Sequence, residues 1–94
     1  MNHGPPTVRP ADVGMLMHML GIDGTRPREQ WGFRNYYAAE PKGSSHDALK
    51  RMETAGLARF KGFDGSCVYY AATREGCFLA GMTMDEIDKM EARP

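Results

Sequence analysis

Apolar residues recur at helical spacing between Pro10 and Gly21. They occupy the i, i+3, i+4 and i+7 positions of one helix face: Val13, Leu16, Met17 and Leu20. Asp12 lies in the first turn, where a carboxylate interacts favourably with the positive end of the helix dipole. Gly21 is typical of a helix end. The pattern predicts a first helix that starts after Pro10 and ends at about Gly21. The Gly- and Pro-rich residues 1–10 predict an extended arm before it.

A second helix is predicted between Ser44 and Gly56. Either Ser44 or Ser45 can cap its first N–H groups, and Leu49 and Met52 supply an apolar stripe. Gly56 is typical of a helix end, and the apolar residue after it is expected to fold back on the last turn.

Two short runs of strand formers follow the second helix. Residues 57–63 alternate, which places Arg59 and Lys61 on one face and Phe60 on the other. Asp64 and Gly65 are typical of a two-residue hairpin turn, and residues 66–72 form the return strand.

Two further helices are indicated after the hairpin. Thr73 can cap a third helix that ends near Gly81. Thr83 and Glu86 have the spacing of a capping box for a last helix from Met84 to Ala92. Met84, Ile87 and Met90 form one stripe of this helix.

The conformation of residues 28–39 is left open by the sequence. A short helix after Pro27 and an irregular aromatic segment are both compatible with it. The segment is rich in aromatic residues, which in so short a chain are more often core than a base-stacking surface. These residues are Trp31, Phe33, Tyr36 and Tyr37.

Length and composition predict one α+β domain over residues 11–94, preceded by the flexible arm 1–10. The chain has 94 residues, of which 41% are hydrophobic, and two cysteines, which are too few for a disulfide scaffold. No apolar run approaches the roughly 20 residues that a bilayer span needs. The beginning of the chain does not have the pattern of a secretory signal, so a cytoplasmic protein that does not contact membranes is expected.

The formal net charge of zero conceals an uneven distribution. Residues 25–62 contain eight basic and four acidic residues, a formal charge of +4. Residues 83–94 contain two basic and four acidic residues, a formal charge of −2. A local basic surface is therefore compatible with overall neutrality.

Part of the chain resembles winged helix-turn-helix regulators. The residues that carry the resemblance run from Leu49-x-x-Met52-x-x-x-Gly56-Leu57-Ala58-Arg59, through Tyr69 or Tyr70, to Ala72-Thr73-Arg74-Glu75-Gly76. The resemblance implies an α+β winged-helix-like fold of three to four helices with one antiparallel hairpin, the wing. A wider pattern resembles small uncharacterised bacteriophage and prophage proteins. It consists of His18-x-Leu20-Gly21-Ile22, Arg34-Asn35-Tyr36-Tyr37-Ala38-Ala39, Asp47, Gly56-Leu57 and Tyr70-x-x-Thr73-x-x-Gly76.

The expected function is that of a small phage- or prophage-type DNA-binding or regulatory protein. The candidate contacts to double-stranded DNA lie on the second helix and the wing. They are Ser45, His46, Lys50, Arg51, Arg59 and Lys61. The alternative for the same charges is a solvated helix face and a charged edge strand that discourages aggregation.

The second functional hypothesis is a protein-interaction module that binds and modulates a host or phage protein. Its candidate contacts are Trp31, Arg34 and Phe63. The stripe of the last helix would also suit a homodimer through the terminal helices. A structural component of a virion is a third possibility.

No catalytic or metal site is predicted. The three histidines and two cysteines do not have metal-ligand spacing, and no nucleophile–base pair or phosphate loop is evident. Cys77 near a helix start is more compatible with a small buried hydrophobe than with an activated thiol. A non-enzymatic protein without a cofactor is therefore expected.

Overall fold

The computed structural model describes residues 9–92, which form four α-helices, three β-strands and one 3-10 turn. In chain order they are α1 (Pro10–Leu20), the 3-10 turn (Arg28–Gln30), β1 (Tyr37–Ala39), α2 (Ser44–Thr54), β2 (Ala58–Phe63), β3 (Val68–Ala72), α3 (Arg74–Leu79) and α4 (Met84–Ala92). The α+β class and the four helices agree with the sequence prediction.

Helix α1 confirms the first predicted helix and its end at Gly21. Gly21 has φ of 74°, a left-handed conformation that glycine adopts without strain, and its N–H donates to the carbonyl of His18. The buried face differs from the predicted one, since Leu16 and Leu20 share it with Met19 and Asp12. The predicted N-terminal arm lies outside the described residues except for Arg9 and Pro10, and Pro10 already belongs to α1.

Helix α2 confirms the second predicted helix but not its serine cap. Ser44 is the first helical residue, and Gly43 occupies the N-cap position without a side-chain hydrogen bond. Gly56 ends the helical region with φ of 79°. The N–H of Leu57 then donates to the carbonyl of Met52 at 2.8 Å, as expected for an apolar residue folding back on the last turn.

The three strands form an antiparallel sheet with the order β1-β3-β2. Strand β1 lies in the segment that the sequence left open, and it pairs Tyr37 with Tyr70 and Ala39 with Val68. Residues 28–39 thus contain a 3-10 turn and a strand, with no α-helix. Only α2 lies between β1 and the hairpin, so residues 28–54 do not form a helix-turn-helix pair of α-helices.

The hairpin of β2 and β3 differs from the predicted one at two places. Its turn includes four residues, 64–67, because the Asp64 N–H donates to the Cys67 carbonyl and the Asp64 carboxylate accepts from two further backbone N–H groups. A β-bulge at Lys61 also shifts the register between Phe60 and Gly62. The predicted alternation of 57–63 is therefore wrong after Phe60.

Helices α3 and α4 have the predicted caps. The Thr73 hydroxyl accepts from the Gly76 N–H and donates to the Gly56 carbonyl at 2.6 Å. Thr83 and Glu86 form both hydrogen bonds of the capping box, at 2.8 and 3.1 Å. Helix α4 has the predicted bounds, Met84–Ala92.

The core lies between one face of the sheet and the helices. Its largest fully buried side chains come from all four helices and the residues between them: Leu16, Met19, Leu20, Leu49, Met52, Cys77, Met82 and Ile87. Tyr70 and Val68 of β3 close the core on the sheet side. No helix within residues 9–92 is long and apolar enough to cross a membrane.

Candidate nucleic-acid interface

Helix α2 and strand β2 expose two lysines and two phenylalanines. We call this set the helix–hairpin surface; it consists of Lys50, Phe60, Lys61 and Phe63, all exposed. Lys50 shares a helix face with His46, four residues before it, and Glu53, three residues after it. The His46 ring lies 5.9 Å from the Tyr70 ring, and Phe60 contacts the same tyrosine at 5.6 Å. Tyr70 therefore connects the two elements.

Two of the predicted DNA contacts at the start of α2 are engaged within the domain. The Nδ1 atom of His46 is hydrogen-bonded to the carbonyl oxygen of Pro41, and its Nε2 atom lies 3.5 Å from the Tyr70 hydroxyl. The Ser45 hydroxyl lies 3.5 Å from that of Tyr37. Both side chains are half-buried. They hold α2 against the sheet and leave Lys50 as the exposed predicted contact of this helix.

Arg51 points to α1. Its Nη2 atom lies 3.2 Å from Oδ1 of Asp12, whose side chain is only 3% exposed. The other oxygen of that carboxylate accepts from the Arg9 N–H at 3.1 Å. The structure thus places Arg51 in an ion pair between helices, separate from the helix–hairpin surface.

Arg59 and Lys61 occupy different positions on β2. Arg59 pairs with Ala71, and cross-strand partners point to the same side of a sheet, so Arg59 lies on the face away from the core. Lys61 is the bulged residue of an edge strand, and it is exposed. Of the two, only Lys61 is included in the helix–hairpin surface, because it lies between Phe60 and Phe63 in sequence.

The predicted partner-binding residues are spread over the molecule. The guanidinium of Arg28 covers the Trp31 ring at 4.0 Å, and the tryptophan is half-buried. Arg34 donates two hydrogen bonds, at 2.7 and 3.2 Å, to the carbonyl of His18 at the end of α1. Only Phe63, 58% exposed, presents a large free apolar surface. The other aromatics of 28–39 are less buried than expected, with Phe33 and Tyr36 about half exposed.

The acidic helix α4 uses its carboxylates within the domain. Glu86 pairs with Arg28 at 2.8 Å, and Asp88 pairs with Arg74 at the same distance. Arg74 also binds Glu91, and the remaining carboxylate of α4 pairs with a lysine of its own helix at 3.1 Å. In the described part of the chain, by contrast, four exposed cations near α2 and β2 have no ion-pair partner: Lys42, Lys50, Arg59 and Lys61. Exposed cations without ion pairs therefore lie near this surface, beside the exposed carboxylates of Asp47 and Glu53.

The apolar stripe of α4 that suggested a homodimer, Met84, Ile87 and Met90, packs mostly into the core. Ile87 is 1% exposed, and the Met90 side chain packs over Gly32. Met84 is half exposed and lies near the equally exposed Phe78 of α3. The apolar area that α4 itself leaves to a partner is therefore small.

Residues 9–92 contain no group of three histidine, cysteine, aspartate or glutamate side chains that could hold a metal ion. Cys77 is fully buried, and burial, with a smaller effect of the Glu91 carboxylate, raises the pKa of its thiol to about 11. The thiol is therefore protonated at neutral pH and packs as a small hydrophobe, which confirms the sequence interpretation.

Asp64 holds the hairpin turn, and its protonation should weaken the turn. Hydrogen bonds from the Cys67 N–H, the Tyr69 hydroxyl and the Ser66 N–H lower its pKa to about 2. A folded pKa below the unfolded value of 3.8 means that the ionised carboxylate contributes stability above about pH 4 and loses it as pH falls towards 2. We expect Asp64→Asn to remove this pH dependence.

Urea unfolding at about pH 5 and about pH 2.5 checks this expectation, because the unfolding midpoints of wild type and Asp64→Asn should converge as pH falls. A difference between the two proteins that is the same at both pH values would contradict it. Asp85→Asn is the matched control, since Asp85 is equally exposed and its pair with Lys89 is solvated.

Two features of this region were not predicted from the sequence. The first is the bulge that places Phe60 and Phe63 on the same side of β2. Its signal was present, since Gly62 inside a strand pattern often marks a bulge. The second is the Asp12–Arg51 pair, which joins residues 39 positions apart. No local pattern reports such a contact.

Comparisons of the chain with protein-family models, with curated protein sequences and with solved structures find no match.

Proposed function

We propose that the protein is a small non-enzymatic DNA-binding or regulatory protein of phage or prophage type that binds DNA through the helix–hairpin surface. The observation that carries the proposal is the distribution of free charge. The α4 carboxylates are neutralised by partners within the domain, whereas Lys50 and Lys61 are exposed and have no ion-pair partner among residues 9–92. A helix followed by a hairpin, each with a free cation, can contact phosphates on either side of a groove.

The proposed mode differs from a complete winged helix-turn-helix. Only α2 and the hairpin are available, because α2 is the single α-helix within residues 28–54. Asp47 and Glu53 also remain exposed on α2 and oppose phosphate binding. We therefore expect modest affinity that depends steeply on salt and weakly on sequence.

Replacing Lys50 and Lys61 together by glutamine should reduce both the affinity for duplex DNA and its salt dependence. Each phosphate contact contributes about 0.9 to the slope of log K against log salt, so the slope should fall by about 2. Fluorescence anisotropy of a labelled duplex at several salt concentrations measures both quantities. Lys89→Gln is the control, because Lys89 belongs to a solvated pair on α4.

The proposal fails if neither duplex nor single-stranded DNA is bound at low salt, or if the double variant and Lys89→Gln have the same slope. Arg51 variants are unsuitable for this test because they break the pair with Asp12. An effect of such a variant on DNA affinity would report the fold as well as the contact.

The second candidate function is a protein-interaction module that binds and modulates a host or phage protein. Its supporting observation is that Phe60 and Phe63 are 50% and 58% exposed on one face of the hairpin. Apolar contacts of this kind predict binding that changes little with salt, in contrast to phosphate binding. The salt titration therefore separates the two candidates.

A further inference from the structure

The β-bulge in β2 determines which way Phe63 points. Along a regular strand, residues three apart point to opposite faces. Phe60 pairs with Tyr70 and Phe63 with Val68, and these two β3 residues lie on the same face of the sheet. The bulge at Lys61 therefore makes Phe60 and Phe63 consecutive residues on one face, spaced by roughly 7 Å along the strand.

Each ring lies next to a buried residue of β3 on one side and is exposed to solvent on the other. The Phe60 ring meets the Tyr70 ring edge to face at 5.6 Å and 73°, and Tyr70 is itself only 3% exposed. Burial, with a smaller effect of the Glu53 carboxylate, raises the pKa of Tyr70, so this support stays neutral at physiological pH. Phe63 lies opposite the buried Val68. About half of each phenylalanine nevertheless remains exposed.

Two exposed lysines lie near these rings, together with the exposed carboxylates of Glu53 and Asp64. Lys61 lies between them in sequence, and Lys50 lies on the α2 face that approaches Tyr70; neither lysine has a partner among the described residues. A second exposed apolar patch, which contains Phe78 and Met84, has no such free cation among residues 9–92. Its nearby cation, Arg74, is bound to Asp88 and Glu91.

We infer that the helix–hairpin surface takes single-stranded nucleic acid, with Phe60 and Phe63 each stacking on one unpaired base and the lysines holding the backbone. This inference rests on the proposed DNA-binding function and names its preferred ligand class. Aromatic platforms beside cations are the usual means of binding single strands. A duplex rises about 3.4 Å per base pair and hides its base faces, whereas a single strand can unstack to match rings roughly 7 Å apart.

The experiment measures binding of the full chain to two labelled probes at low salt, an oligothymidine of about 15 nucleotides and a blunt duplex of similar length. Loss of one stacking ring should weaken oligothymidine binding by about tenfold, and duplex binding by less than twofold. Phe60→Ala and Phe63→Ala are the test variants. Phe78→Ala removes an equally exposed ring without a free cation beside it and should change neither affinity.

Two further variants separate stacking from apolar contact and from misfolding. Phe63→Trp keeps a π face and should bind oligothymidine at least as well as wild type, with quenched tryptophan fluorescence at that position. Phe63→Leu keeps apolar area without a ring and should lose about as much affinity as Phe63→Ala. A surface used by a protein partner would show neither difference.

The outcomes distinguish the inference from the proposed function. Duplex binding that persists, with oligothymidine affinity unchanged by Phe60→Ala and Phe63→Ala, overturns the inference and leaves the proposed function standing. Equal losses for Phe63→Ala and Phe78→Ala also overturn it. If the protein binds neither probe at low salt, both the inference and the proposed function fail.

Discussion

Replacing Gly76 by alanine should lower the free energy of unfolding by about 2 kcal/mol or more, as expected for overpacking of a tightly packed site. A Cβ atom at this position would lie 2.1 Å from the carbonyl oxygen of Leu57 and 3.2 Å from the Leu16 side chain. The carbonyl is backbone, and it accepts the Thr73 N–H at 3.0 Å, so it cannot move aside without breaking that bond. In a thermal scan, the Tm of the Gly76→Ala protein should be about 10 °C lower than that of wild type.

Gly14→Ala is the matched control for this prediction. Gly14 lies inside α1, and a Cβ there would meet no atom within 4 Å. Alanine is better than glycine in a helix by about 1 kcal/mol, so this variant should be more stable than wild type. The two substitutions are chemically identical, but their effects on stability should have opposite signs, because only the Cβ at position 76 would meet backbone. A Gly76→Ala protein as stable as the Gly14→Ala protein would contradict the close approach of α3 to Leu57.

The second large effect is expected at Arg51. Arg51→Met removes the partner of a carboxylate that is 3% exposed, and a buried charge without its partner costs about 3 kcal/mol. Among residues 9–92, the Asp12 carboxylate then keeps the hydrogen bond from the Arg9 N–H. Equilibrium unfolding in urea measures the change, which should appear in the midpoint with little change in the slope.

Lys50→Met is the neighbouring control, because Lys50 is exposed on the same helix and has no partner in the described residues. Its stability should stay within about 0.5 kcal/mol of wild type. The double variant Asp12→Asn/Arg51→Met removes the buried charge together with its partner and should be more stable than Arg51→Met alone. A double variant that is less stable by the sum of the single effects would show that the two residues do not interact.

These stability predictions also bear on function. Among the basic residues of α2, Arg51 stabilises the contact with α1 and Lys50 remains free for a ligand. The two adjacent residues were equivalent in the sequence, where both are basic and both follow the cap of α2. Separating their effects requires both DNA-binding and unfolding measurements on the same variants.

Local signals predicted the structure best between α2 and α3. Gly56 and Thr73 have the expected positions, because helix ends and caps depend on a few neighbouring residues. The N-terminal half of the chain differs, since β1 pairs with β3 where a further helix was one of two alternatives. A three-residue strand is stabilised by its partner strand, so its own sequence carries little signal.

In the candidate site too, some features follow from the local sequence and others depend on tertiary contacts. Exposure of Lys50, Lys61 and Phe63 agrees with their polar or turn-adjacent positions in the sequence. The engagement of His46 by Pro41 and Tyr70 does not follow from any spacing, since Tyr70 is 24 residues away. The same holds for α4, whose carboxylates could have served a basic partner but are paired with arginines of the 3-10 turn and α3.

The sequence by itself determined the four helices, the N-caps of α3 and α4 and the existence of a hairpin, because these depend on hydrophobic periodicity and on local hydrogen bonding. Only the tertiary structure decided which charges are free and which way the aromatic rings point. Ion pairs such as Asp12–Arg51 depend on how helices pack, and the side of β2 that carries Phe63 depends on one bulged residue. A shift of one residue in a strand reverses every side chain after it, so the proposed ligand surface exists only in the folded register.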